Sequence, residues 1–418
     1  MSLVRKFTAI GTAAVVAVWA VAGSLSAEGK GPHDKYAPTD VSRRIEKLGN
    51  PLAQRYPDGS QFHYARSISD LHHFDGKLYV GHGDWAENSG PTDIWYYDLQ
   101  TKEFSNQGRV DDEAADHYRV INGRLCLPGT DPREDWTLGN FYRLETGEWT
   151  KHRTLPAAVH NFDMIGVDTT LYALTSRLIE QPSCLMVSTD DGKTWKVFDI
   201  PADTRIHPDV YMRHRLLVID GNVYVTGNIA SGDIKVHRFN GNGFDLCTGD
   251  MLPGVERPRD KEQGGSWSRL AVEKSMVFKG KAVYLGGLHQ SIKESNPPWR
   301  REKTLELFVA TLSGPTEFRA NRSLAEGIMT DIAVDDECCY VVSYRWNDKD
   351  DPKQGAMTSV FASADLKNWS NLFSFHHETF ASALEVVNGD FYLGLGGTRE
   401  FCTAATGTIL KVGKDILK

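Results

Sequence analysis

Histidine, arginine and tyrosine recur at matching places along this chain, and together they describe proton transfer beside a carboxylate. His117, Tyr118 and Arg119 are consecutive; His72 and His73 hold a related position one unit earlier, and His160, Arg213, His214, Arg215, Arg269 and Asp331 follow in later units. A histidine gives or takes a proton near neutral pH. An arginine fork binds a carboxylate through two parallel hydrogen bonds. Removing the proton α to a uronate carboxyl needs both, often with a tyrosine as acid. On this reading His117 and His160 are acid–base candidates, Tyr118 is a proton donor, and Arg119, Arg213 and Arg269 bind the carboxylate, with His72 and His214 at the same mouth. Trp85, Trp136 and Trp299, and Arg345 beside Trp346, stand in long loops, where indole rings suit stacking on sugars. The competing reading is architectural: polar residues around a channel commonly bond only backbone and water.

The elements that hold these residues repeat. Hydrophobic–Tyr–hydrophobic triplets, with Cys in one, centre on Tyr79, Cys126, Tyr172, Tyr224, Tyr284, Tyr340 and Tyr392, at spacings of 47, 46, 52, 60, 56 and 52 residues. A hairpin repeated at a period near fifty is the mark of a β-propeller. The expectation is an all-β, seven-bladed propeller of four-stranded antiparallel blades over residues 49–418. Asp75-Gly76, Asn122-Gly123, Asp220-Gly221 and Asn388-Gly389 supply the two-residue hairpin turns, where positive φ is required. The last unit supplies three strands, so an N-terminal strand from before Leu71 is expected to close the ring and cover its edge. Loops after the second strand and between units are long, which puts the chemistry on one decorated face.

Composition narrows the class. A net charge of -8 argues against a nucleic-acid partner, which calls for a basic face. Residues 1–26 read as a signal peptide: Arg5 and Lys6, an uncharged run from Phe7 to Gly23, then Ser24 and Ser26 before a cut at Ala27. An uncleaved anchor is the alternative. Residues 27–48 read as a polar leader, and the mature protein as a secreted or periplasmic monomer with no membrane partner. Six cysteines allow disulfides in that compartment, but their spacing selects no pairing. No cofactor motif is present; a His-rich ring near the axis would be the place for a divalent metal, and a metal-free site is expected.

Ser188-Thr-Asp-Asp-Gly-Lys-Thr-Trp195 matches the pattern S-x-D-x-G-x-T-W, and Ser363 to Trp369 is a copy lacking the glycine. In this the chain resembles the Asp-box (BNR-repeat) propellers of the sialidase-like group. The resemblance implies a box in the turn between third and fourth strands, with Ser and Asp bonding the turn and Trp packing between strands. Sialidase activity is a poor fit: that group has six blades and an Arg-Ile-Pro motif, where this chain has Ala65-Arg66-Ser67. Seven blades are more similar to the propeller polysaccharide lyases and glycosidases that act on uronic-acid polymers. The function expected is therefore a lyase or hydrolase of an acidic glycan, with a non-catalytic glycan- or protein-binding propeller as the alternative.

Overall fold

The computed structural model describes residues 39–177, 183–201, 214–227, 234–256, 267–292 and 300–417. The expected signal peptide, and the leader as far as residue 38, lie outside the described residues. The chain is all-β and forms a propeller. Each hairpin is set by its turn: Asp75 and Gly76 take φ of 49° and 72°, and Asn122 and Gly123 take 51° and 72°. The triplets they introduce are core, with Tyr79, Tyr224 and Tyr284 fully buried.

The described residues form six hydrogen-bonded sheets. Five stand as separate blades, where the repeat leads one to expect seven. These come from the second, fourth, fifth, sixth and seventh units, and four antiparallel strands make up each. In the second unit, for example, the strands are Arg119–Ile121, Arg124–Pro128, Leu138–Glu145 and Glu148–Pro156. The first and third units are instead joined in one ten-stranded sheet. The joining pieces are two short loop strands, Asp112–Ala115 and Thr130–Pro132. Gly83 and His82, at the end of strand Lys77–Gly83, pair with Ala114 and Ala115; Thr130 pairs with Ala114 on one side and His160 on the other. Gly83 permits this approach, since a Cβ there would stand 2.5 Å from Ala114 Cα. The bridge passes over the second unit and ties its two neighbours together.

Two further strands come from before the repeats. Glu46–Gly49 pairs with Ile409–Val412 as the outer strand of the last unit, and Thr39–Asp40 pairs in parallel with Ser370–His377. Residues 39–48, expected in the leader, thus belong to the fold. The core lies between units, as expected when sheet faces pack on each other. Apolar clusters fill the space between successive units and between the last and the first, where Leu71 and Val80 meet Ala383 and Tyr392. All six cysteines are free thiols, five of them buried, so no disulfide contributes.

The turn from Ser188 to Trp195 holds itself. Gly192 N donates to Ser188 Oγ at 2.9 Å, Thr194 N donates to Asp190 Oδ1 at 2.9 Å, and Trp195 Nε1 donates to Thr154 Oγ1 of the preceding unit at 3.0 Å. The turn from Ser363 to Trp369 does the same, with Trp369 Nε1 donating to Ser323 Oγ at 3.0 Å.

Candidate functional site

The innermost strands place a belt of charge across the central channel. Asp70, His117, Asp163, Arg215, Lys274 and Asp331 occupy corresponding places ahead of their hairpin turns. Lys274 Nζ crosses from the fifth unit to within 3.5 Å of Asp70 Oδ1 and 3.3 Å of Asp331 Oδ1, and donates to Ser69 O at 2.8 Å. Asp163 accepts from Arg119 Nε at 3.0 Å and Nη2 at 3.3 Å, and lies 3.3 Å from His117 Nε2. The aspartates also tie unit to unit through the backbone. Asp70 accepts from Tyr118 N at 2.8 Å, Asp163 from Leu216 N at 3.2 Å, and Asp331 from Leu384 N at 2.9 Å.

Burial and pairing compete at each member. Burial pushes the Asp163 carboxyl up, but Arg119 and His117 outweigh it and hold the group well below the usual carboxylate range. Asp331 is pushed up to about 6 by burial, against the pull of Lys274. Glu385 is pushed up to about 7, again by burial. His72 is driven down to about 4 by burial despite Asp70, and His117 is lowered by burial and by Arg119. Both rings are therefore neutral near pH 7, and the channel's full charges are largely matched.

The expected site residues divide accordingly. His72, His117 and Arg119 face the channel, with His117 and Arg119 both engaged by Asp163. Tyr118 does not join them: strand residues alternate sides, and its ring is buried between the first two units against Tyr79 and Trp149. Arg213 and Trp299 lie outside the described residues. His214 and Arg269 are placed in strands, opposite Gly227 and His289, but their side chains lie outside the description. The belt members Asp70, Asp163 and Lys274, and Glu385, which accepts from His73 N at 3.0 Å, carry no motif in the sequence. Asp70, Asp163 and Lys274 stand as far before their turns as His117 does, a signal that was there to be read.

Above the channel, the bridge brings distant residues together. The Trp85 and His160 rings stand 5.5 Å apart, and Phe162 lies 5.8 Å from His160. Asp84 caps the short helical turn Trp85–Glu87 by accepting from Ala86 N at 3.1 Å, and it pairs with Arg399. Asp131, next to the Thr130–His160 pair, is pushed up to about 6 by burial and by nearby Glu113. Asn161 is buried, and neither polar atom of its carboxamide has a partner. Trp136 is 41% exposed. Among the described residues no three His, Cys, Asp or Glu side chains form a metal-ligating group. Arg345 lies elsewhere, paired with Glu326 at the edge of a cavity of about 560 Å³ beside the sixth unit.

No family model and no curated protein matches the chain. Solved structures do match. A streptogramin B lyase superposes with a TM-score of 0.53 at 10% identity, covering 88% of this chain and 96% of that one. Hydrazine synthase of Kuenenia stuttgartiensis gives 0.51 at 8% identity over 86% and 99%. Virginiamycin B lyase from Staphylococcus aureus gives 0.51 at 8% identity over 88% and 98%. At such identities the likeness shows the fold alone, a β-propeller.

Proposed function

We propose that this protein is an exported, carbohydrate-active propeller of the Asp-box type, a lyase or hydrolase of a uronic-acid-containing glycan. On this reading the two halves of the ten-stranded sheet would count as two further blades beside the five separate ones, the number that the repeat implies. The observation that carries the reading is the contact of Trp85 with His160 at 5.5 Å, at the strand pair that also holds Asp131, whose carboxyl is pushed up to about 6. A histidine and a carboxyl raised toward neutral pH, on neighbouring strands, are the two kinds of group that acid–base catalysis uses. The adjoining indole is a stacking surface for a sugar ring. His160 would take the proton and Asp131 return one, the donor role that Tyr118 cannot fill from between the units. Arg213 and Arg269 would hold the uronate carboxylate, because Arg119 is already spent on Asp163.

That engagement of Arg119 and His117 by an internal carboxylate also favours a second reading, a propeller that binds an acidic glycan without turning it over. One assay separates them. The mature protein is incubated with a panel of uronic-acid polysaccharides while absorbance near 235 nm and reducing ends are followed. Rising absorbance means β-elimination, and reducing ends alone mean hydrolysis. Either activity should collapse in His160→Ala and Asp131→Asn. Silence in both channels, with retention on a glycan column, would establish the binding propeller. Silence without retention would overturn both readings.

A further inference from the structure

The sixth unit's face toward the fifth changes character along its strands. Low on that face Cys339 and Val341 pack with Leu285 and Leu307 in an apolar cluster. Two residues further up the same strand, Val341 is followed by Ser343, and in the next strand Phe361 is preceded by Ser359, which pairs with Ser343. Ser374 in turn pairs with Ser359. Sheet faces that pack on each other are built from apolar side chains, yet here a row of hydroxyls crosses the sheet. Ser359 Oγ and Ser374 Oγ are hydrogen-bonded at 2.8 Å, and Asn371 Nδ2 donates to Ser374 Oγ at 3.2 Å. The row lines a cavity of about 560 Å³, a volume within the range of small-molecule sites.

We propose that this cleft binds a neutral saccharide of one or two sugar rings, at a site separate from Trp85 and His160. Hydroxyl and carboxamide groups both donate and accept, which suits a ligand whose surface is hydroxyl groups. Phe361 and Met357 on the same wall offer apolar surface to ring carbons. Neutrality follows from the charges at the edge. Arg345 is matched by Glu326, and the Asp40 carboxylate, which accepts from Ser42 N at 2.9 Å and Ser42 Oγ at 2.6 Å, faces the Arg43 guanidinium and His376. A charged ligand would have to break one of these arrangements.

The test is binding of cellobiose, maltose, xylobiose and lactose to the full-length protein by calorimetry and saturation-transfer NMR, with glucuronic acid as the charged comparison. Saturable binding of at least one neutral disaccharide is expected. Asn371→Ala should weaken it about tenfold through loss of hydrogen bonding, and Ser359→Leu, which replaces the central hydroxyl of the row with a bulkier apolar side chain, should abolish it. Thermal melts of both variants confirm that they fold. If Ser359→Leu does not fold, Asn371→Ala alone decides. Absence of saturable binding by every neutral sugar, unchanged affinity in Asn371→Ala, or preference for glucuronic acid would each overturn the proposal. None of these results bears on turnover of polymers beside Trp85 and His160, so the two readings fail independently.

Discussion

Asp163→Ala tests whether the channel is a matched ionic network or an open binding site. The wild-type carboxylate is fully buried, while Arg119 keeps 21% of its side chain exposed. Removing one partner of a buried pair leaves the other charge unpaired, at a cost of about 3–5 kcal/mol. The exposure of Arg119 places this pair at the lower end, about 3 kcal/mol, and the lost acceptor for Leu216 N adds about 1 kcal/mol. Unfolding entropy of about 2.1 cal/mol/K per residue over the roughly 340 described residues is ~0.7 kcal/mol/K, so Tm should fall by about 6 °C. Differential scanning calorimetry measures it. The double variant with Arg119→Ala should lose less than the sum of the singles, because the orphaned charge is gone. The depressed Asp163 carboxyl contributes stability that is full above the ordinary aspartate pKa of about 3.9 and fades as pH falls. Variant and wild type should therefore converge in acid. A Tm shift below about 1 °C, or strict additivity in the double variant, would refute the matched network and return Arg119 to the list of available carboxylate binders.

Glu385 has the opposite sign. Its carboxyl is raised from 4.5 to about 7 by burial, so the folded state keeps a proton that the unfolded chain has released. That stability is present below about pH 4.5 and lost as pH rises through 7. Glu385→Gln should flatten the decline in Tm between about pH 5 and pH 8, and an unchanged slope would show that the group is solvated. Removing residues 1–49 deletes the outer strand paired with Ile409–Val412 and bares a sheet edge. The truncated chain should aggregate on size-exclusion chromatography, whereas a chain starting at residue 39 should elute as the intact protein does. With all six thiols free and only Cys402 partly exposed, reductant should leave Tm unchanged. A thiol reagent should label at most one cysteine before unfolding, and faster labelling of more would contradict the burial.

Much of the architecture was legible because it rests on local rules. Asp75-Gly76 and Asn122-Gly123 declare their turns through the left-handed backbone that glycine accepts. The strand pattern around each Tyr triplet declares which residues are buried. The three strands of the last unit required a fourth, and Glu46–Gly49 supplies it. The candidate site was legible only as a set of residue types near one mouth. Tyr118 beside His117 looked like a partner in sequence, but alternation sends its ring between units while its neighbours face the channel.

What the amino-acid order determined by itself was the repeat, the hairpins and the strand faces, because each depends on residues close together in the chain. What only the tertiary structure decided was which distant groups meet. Asp163 finds Arg119 across 44 positions and neutralises a residue expected to bind substrate. Strands Asp112–Ala115 and Thr130–Pro132 merge the first and third units into one sheet and carry Trp85 to His160. Such contacts depend on the angle and spacing at which whole units pack, and no local pattern of side chains encodes them.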